Sequence, residues 1–126
     1  MGITDLHIDG GVQMRPRGKD RIAVYFGDRR YCLQPKCFRF LCTLARARLK
    51  SPPDEGFVRG EDFDEANREG VYKVMYQLRR QIPNGRALIS GHTHGYYRLE
   101  IPPDRITINR KVIRAYPDPR VRALCE

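Results

Sequence analysis

The chain has 126 residues, 40% of them hydrophobic and 31% charged, and a formal net charge of +9 from 24 basic and 15 acidic residues. That balance excludes a disordered chain, the longest apolar runs are too short to span a bilayer, and the length fits one domain with a small core. The positive excess points to a polyanionic partner, nucleic acid ahead of an anionic membrane surface. The charge is unevenly spread. Acids gather in Glu61-Asp62-Phe63-Asp64-Glu65, whereas beyond Gly70 the cations Lys73, Arg79, Arg80, Arg86, Arg98, Arg105, Arg110, Lys111, Arg114, Arg120 and Arg122 outnumber Glu100, Asp104, Asp118 and Glu126. Met1-Gly2-Ile3-Thr4-Asp5 has neither the charged start nor the apolar stretch of a secretory leader, so the expected location is cytoplasmic. Cys32, Cys37, Cys42 and Cys125 lack metal-site spacing and read as reduced thiols.

In chain order, residues 3–34 read as short strands. Asp5-Leu6-His7-Ile8-Asp9 alternates until Gly10-Gly11 breaks it, and Val12-Gln13-Met14-Arg15 suggests a second strand. Arg21 to Phe26 is rich in β-formers, Gly27-Asp28 turns the chain, and Arg30-Tyr31-Cys32-Leu33 returns it. Pro35 suits a first helical turn. Phe38, Leu41, Cys42, Ala45 and Leu49 then recur at helical spacing, with Phe40 and Leu44 widening the stripe and Arg39, Arg46, Arg48 and Lys50 mostly opposite. A Ser-Pro-Pro segment stops that helix. A short acidic helix is expected over 60–66 with Phe63 inward. The next helix, from an Asn67 cap to Ile82, buries Val71, Val74, Met75, Leu78 and Ile82. It leaves Arg68, Glu69, Tyr72, Lys73, Tyr76, Gln77, Arg79 and Arg80 outside. Pro83-Asn84-Gly85 ends it. Ala87-Leu88-Ile89-Ser90 and residues 96–101 form the arms of a hairpin with its tip at 91–95. A further β-prone run covers 105–109, and from Ala115 the chain reads as a basic extension with little core of its own.

Strands, helix, short helix, helix, hairpin is an order with a precedent. Residues 30–41, with Leu33 and Pro35 before the Phe38-Leu41 stripe, resemble the strand-to-helix passage of the DNA-binding effector domain of OmpR/PhoB-type response regulators. Phe57-Val58-Arg59-Gly60-Glu61-Asp62-Phe63 sits where that family begins its second helix. Leu78-Arg79-Arg80 occupies its Leu-Arg-Lys slot, and Gly95-Tyr96-Tyr97-Arg98-Leu99 is similar to the end of its wing. The likeness covers roughly residues 20–101 and includes no receiver domain. It implies an α+β fold: a winged helix-turn-helix with an N-terminal antiparallel β-sheet, three helices and a C-terminal β-hairpin wing. The domain would span 1–101 (strands 3–34, helical core 35–82, wing 87–101), followed by a basic C-terminal extension over 102–126.

The function so implied is sequence-specific binding of double-stranded DNA in transcription regulation, without enzymatic activity, cofactor or metal. A helix of about a dozen residues fits the major groove, where Gln77 suits adenine and Arg80 and Lys73 suit guanine or phosphate. By the resemblance, Tyr76, Gln77 and Arg79 align with DNA-contacting positions, Thr93 with the wing tip and Tyr97 with a phosphate-contacting tyrosine. The candidate contact set is Arg68, Tyr72, Lys73, Tyr76, Gln77, Arg79, Arg80, His92, Thr93, His94, Tyr97 and Arg98. Further candidate partners are RNA polymerase or another regulatory protein, and a second copy of the chain on DNA. No membrane partner is expected.

Two alternatives use the same residues. The basic face of a winged helix also suits an acidic protein partner. Asp5-Leu6-His7 and Gly91-His92-Thr93-His94 resemble the first and last motifs of calcineurin-like metallophosphoesterases, whose metals activate water. The middle ligands of that family are missing here: no Gly-Asn-His string follows, and the chain holds only His7, His92 and His94. No nucleophile elbow, phosphate loop or dinucleotide fingerprint is present.

Overall fold

The computed structural model describes residues 5–13, 20–51, 55–63, 68–91 and 95–126. The chain is α+β, with two sheets packed around one long helix. Strands β1 (Leu6–Gln13), β2 (Arg21–Phe26) and β3 (Arg29–Leu33) pair antiparallel in sequence order. Leu6 and Ile8 face the core while His7 and Asp9 face outward, as the period of two requires. Gly27-Asp28 makes the two-residue turn between β2 and β3, and Gly27 takes a φ of +67° there.

Gly10-Gly11 does not end the first strand. The strand continues to Gln13 through a bulge, and its register shifts between Ile8↔Val24 and Val12↔Ile22. Gly10 adopts φ +82°, and a Cβ there would lie 2.9 Å from Ile113 Cδ1 and 3.1 Å from Val112 Cγ1. The bulge therefore makes room for a helix from the far end of the chain, α4 (Arg110–Arg114). Val12 and Gln13 belong to this same strand. Met14 and Arg15 lie outside the described residues.

The sheet is not wholly antiparallel. Its fourth strand, β7 (Ile106–Ile108), lies parallel to β1 with Leu6↔Ile106 and Ile8↔Ile108 as partners. Three side-chain links hold this pairing on the solvent side. Arg105 Nη1 donates to Asp5 Oδ1 at 3.1 Å, His7 Nδ1 shares a 2.8 Å hydrogen bond with Thr107 Oγ1, and Asn109 Nδ2 donates to Asp9 Oδ1 at 3.3 Å.

Helix α1 (Pro35–Lys50) starts on Pro35 and buries Phe38, Leu41, Cys42 and Ala45 as the spacing predicts. Phe40 and Leu44, which widen the stripe, are buried with them, and so are Cys37 and Arg48, because neighbours cover the helix on several sides. Arg48 corrects the expectation of a solvent-facing cation. It is 8% exposed, with Nε donating to Ile101 O at 3.2 Å and Nη1 to Glu55 O at 2.8 Å. Gly56, at φ +98°, presses against it: a Cβ there would come within 3.1 Å of Arg48 Cα.

Within the acidic helix expected over 60–66, the described residues form a 3-10 turn at Gly60–Asp62. Phe63 follows in extended conformation, buried, with its ring stacked 4.5 Å from that of Phe40. Residues 64–67, with the expected Asn67 cap, lie outside the described residues. Helix α2 (Arg68–Gln81) then buries Val71, Val74, Met75 and Leu78, with Ile82 just past its end. Ala87 and Leu88 are not strand residues. They belong to a one-turn helix, α3 (Gly85–Leu88), whose Ala87 and Leu88 amides both donate to Asn84 O at 2.9 Å. A Cβ on Gly85 would overlap the Arg79 backbone, so α3 can fold back on α2 only with glycine there.

The second sheet has the order β4-β6-β5, from β4 (Val58–Arg59), β5 (Ile89–Gly91) and β6 (Tyr96–Leu99). The β5–β6 hairpin was expected, with longer arms, and β4 was not. Residues 102–114 supply Ile106 and Ile113 to the common core, and the tail from Ala115, read as having little core of its own, supplies Val121 and Leu124. The last two come from α5 (Pro119–Arg122) and a closing 3-10 turn at Ala123–Cys125. Ile113 is fully buried, so Ile113→Ala is expected to cost about 2–5 kcal/mol of global stability. A urea midpoint equal to wild type would show that the C-terminal segment folds apart from the rest.

Candidate functional site

The outward face of α2 is set by the burial of its inward one. With Val71, Val74, Met75 and Leu78 fixed inside, the 3.6-residue period turns Tyr72, Lys73, Tyr76, Gln77 and Arg80 to solvent. Tyr72 and Tyr76 remain 64% and 50% exposed, high values for such large side chains. These five, with Gln34 and Gln81, line an open groove of about 600 Å³. Gln34, just before α1, contributes to its lining, and its backbone N–H donates to Gln81 Oε1 at 3.2 Å. The Arg80 guanidinium lies over the Tyr76 ring, 5.7 Å from its centroid, which restricts a long side chain to a narrow range of directions.

Gln34 and Gln81 were not expected here. Gln34 is far away in sequence and carries no charge or motif, so no local signal marks it. Burial pushes the Cys37 thiol up to about 11, and Arg21, Gln81 and Lys36 act against that rise. The Cys42 thiol is also pushed up, by burial first. Both sulfurs are thus protonated core atoms.

The remaining candidates are placed differently. Arg79 is half-buried on the side of α2 that meets the hairpin, donating from Nε and Nη2 to Ile89 O. Tyr97 lies next to it, half-buried, with its ring edge-on to Phe63 at 6.0 Å. Arg98 follows Tyr97 on β6 and so projects from the opposite face of the strand. There its Nε and Nη2 donate to Glu100 at 2.6 and 2.9 Å, and its guanidinium stacks 4.5 Å from the Phe57 centroid. His92, Thr93 and His94 lie outside the described residues, as does the side chain of Arg68.

Among the described residues, no group of three or more His, Cys, Asp or Glu side chains could hold a metal ion. Asp5 and His7 are engaged with Arg105 and Thr107 across the β1–β7 pairing. No described helix is long and apolar enough to cross a membrane. No family model, curated protein or solved structure matches the chain.

The Arg98–Glu100 pair gives this region a pH signature. Hydrogen bonding from Arg98 holds the Glu100 carboxyl below its ordinary value, against partial burial and with help from Ser90 Oγ at 2.8 Å. A carboxyl lowered in the folded state stabilises fully above its unfolded pKa, about 4.3, and loses that contribution as pH falls through the folded value. Glu100→Gln is therefore expected to flatten the acid limb of the stability curve below about pH 4. Parallel wild-type and variant melting curves from pH 6 to 3 would contradict this.

Proposed function

We propose that this protein is a winged-helix regulator of transcription that binds double-stranded DNA, with α2 in the major groove and the β5–β6 hairpin beside it. The observation that carries the reading is the α2 face, where Tyr72, Lys73, Tyr76, Gln77 and Arg80 project together from a helix anchored by its buried side. A B-form major groove admits one α-helix, and these side chains match what it offers. Gln77 can pair with the N6 and N7 edge of adenine. Arg80, already directed by Tyr76, can fork onto guanine O6 and N7. Lys73 suits a phosphate, and the two tyrosines suit thymine methyls and sugars. The net charge of +9 supplies long-range attraction to the duplex. Arg98 has little part in this reading, because Glu100 already holds it by two hydrogen bonds.

The test is a titration of genomic and arbitrary duplexes over a salt series. Changing Lys73, Gln77 and Arg80 together to alanine removes two cations from the face. It is expected to weaken binding and, through the loss of Lys73 from a phosphate, to make log K against log salt shallower by about one. Unchanged binding would refute this orientation of α2. A second reading is favoured by the exposure of Tyr72 and Tyr76, since tyrosine beside arginine is also the composition of protein interface centres. In that case the same face docks an acidic protein. The wild-type chain would then show no duplex binding at moderate salt, and the triple variant would lose the protein partner instead.

A further inference from the structure

Arg79 sits between the outward and inward faces of α2, and its guanidinium reaches both strands of the hairpin. Nε and Nη2 donate to the single carbonyl oxygen of Ile89 on β5, at 3.1 and 3.0 Å. The same planar group lies over the Tyr97 ring on β6, 5.8 Å from its centroid. The space on its Gly91 side is tight. A Cβ on Gly91 would stand 3.0 Å from Arg79 Nη2 and 3.4 Å from Tyr97 Cε1. Tyr97 in turn meets Phe63 edge-on, and Phe63 stacks on Phe40 of α1. A continuous line of planar groups runs from the central helix through β6 to the guanidinium of α2.

We propose that Arg79 is a positioning residue. It fixes the angle between α2 and the β5–β6 hairpin, so that the two meet duplex DNA as one rigid unit, and it touches neither base nor phosphate itself. This rests on the DNA-binding reading above. Only a planar fork satisfies the site, because a lysine ammonium has no face to lay on Tyr97 and no pair of fixed N–H bonds for Ile89 O. A hairpin held in place in advance binds without an ordering cost. A loosened one is still drawn to the duplex by net charge but must be ordered at each encounter.

Arg79→Lys keeps the charge and removes the fork. The probes are a duplex recovered by selection of genomic fragments with the wild-type protein and an arbitrary duplex of equal length. Affinity for the selected duplex is expected to fall about tenfold, with arbitrary-duplex affinity and the salt slope retained. In the free protein, amide exchange at 89–91 and 96–99 is expected to rise about tenfold relative to α1. A direct phosphate contact predicts that Arg79→Lys keeps most of the affinity and that Arg79→Met lowers the salt slope by about one. That result, or unchanged hairpin exchange in Arg79→Lys, overturns the proposal. If Arg79→Lys does not fold, Tyr97→Leu removes the stacked face, keeps both hydrogen bonds, and is read by hairpin exchange in the free protein alone, because Tyr97 is itself a candidate phosphate contact. The exchange measurement needs no DNA. A wild-type chain that binds no duplex would defeat the proposed function, while the exchange data would still decide whether Arg79 holds the hairpin.

Discussion

A helix that is apolar around most of its circumference cannot rest on one surface, and α1 imposes that constraint on everything else. Cys37, Phe38, Phe40, Leu41, Cys42, Leu44 and Ala45 are all essentially inaccessible to water. They point in too many directions for one sheet to cover. The first sheet takes one side through Leu6, Ile8, Val24 and Leu33, and α2 takes another through Met75 and Leu78. The small sheet adds Val58 and Leu99 with Phe63 against Phe40, and the C-terminal turns close what remains with Val121, Leu124 and Tyr116, whose ring lies 5.7 Å from that of Phe38. The inward side of α2 and the inward side of the hairpin are thus both defined by one helix. This is why their outward sides have a definite relation to each other.

The same crowding accounts for the polar groups near the core. Chain reversals around α1 present carbonyl oxygens toward it, and arginines from the helix reach them. Arg48 serves Ile101 and Glu55, and Arg46 serves Ala123 at 3.1 Å. Arg122 donates to the carbonyls of Tyr116 and Pro117 at 2.7 and 2.9 Å in the same way. A guanidinium has several donors on a long apolar stem, so it can satisfy a distant oxygen while its methylenes pack. In this chain many arginines are structural for that reason.

What the sequence reveals follows from how local each interaction is. The buried face of α2 was legible because Val71, Val74, Met75, Leu78 and Ile82 repeat with a period that only a helix satisfies. The β2–β3 hairpin was legible because Gly27-Asp28 joins two β-rich runs. The β1–β7 pairing was not, because its partners lie far apart in the chain and β7 has only three residues. The bulge at Gly10 was read as a break because its cause, the packing of Ile113, is equally remote. At the candidate site, Tyr72, Lys73, Tyr76, Gln77 and Arg80 could be assigned from helical phase alone. The destinations of Arg79 and Arg98 could not, since phase says which side a residue faces but not whether Ile89 O or Glu100 stands there to receive it.

Net charge and contact should be separated for the same reason. An arginine that donates to a carbonyl keeps its full charge, so Arg46, Arg48, Arg79 and Arg122 all contribute to the field that surrounds the molecule. They are tethered, however, and those that are buried cannot reach a phosphate without breaking the hydrogen bonds that hold the fold. A field built from tethered cations attracts a polyanion at a distance and says little about where it binds. In the proposed function, binding in register falls instead to the exposed side chains of the α2 face, Lys73, Gln77 and Arg80 beside Tyr72 and Tyr76. Under the proposed function, a chain with a net charge of +9 would make far fewer than nine ionic contacts to a duplex. Its selectivity then depends on how firmly the helix that carries those few contacts is held.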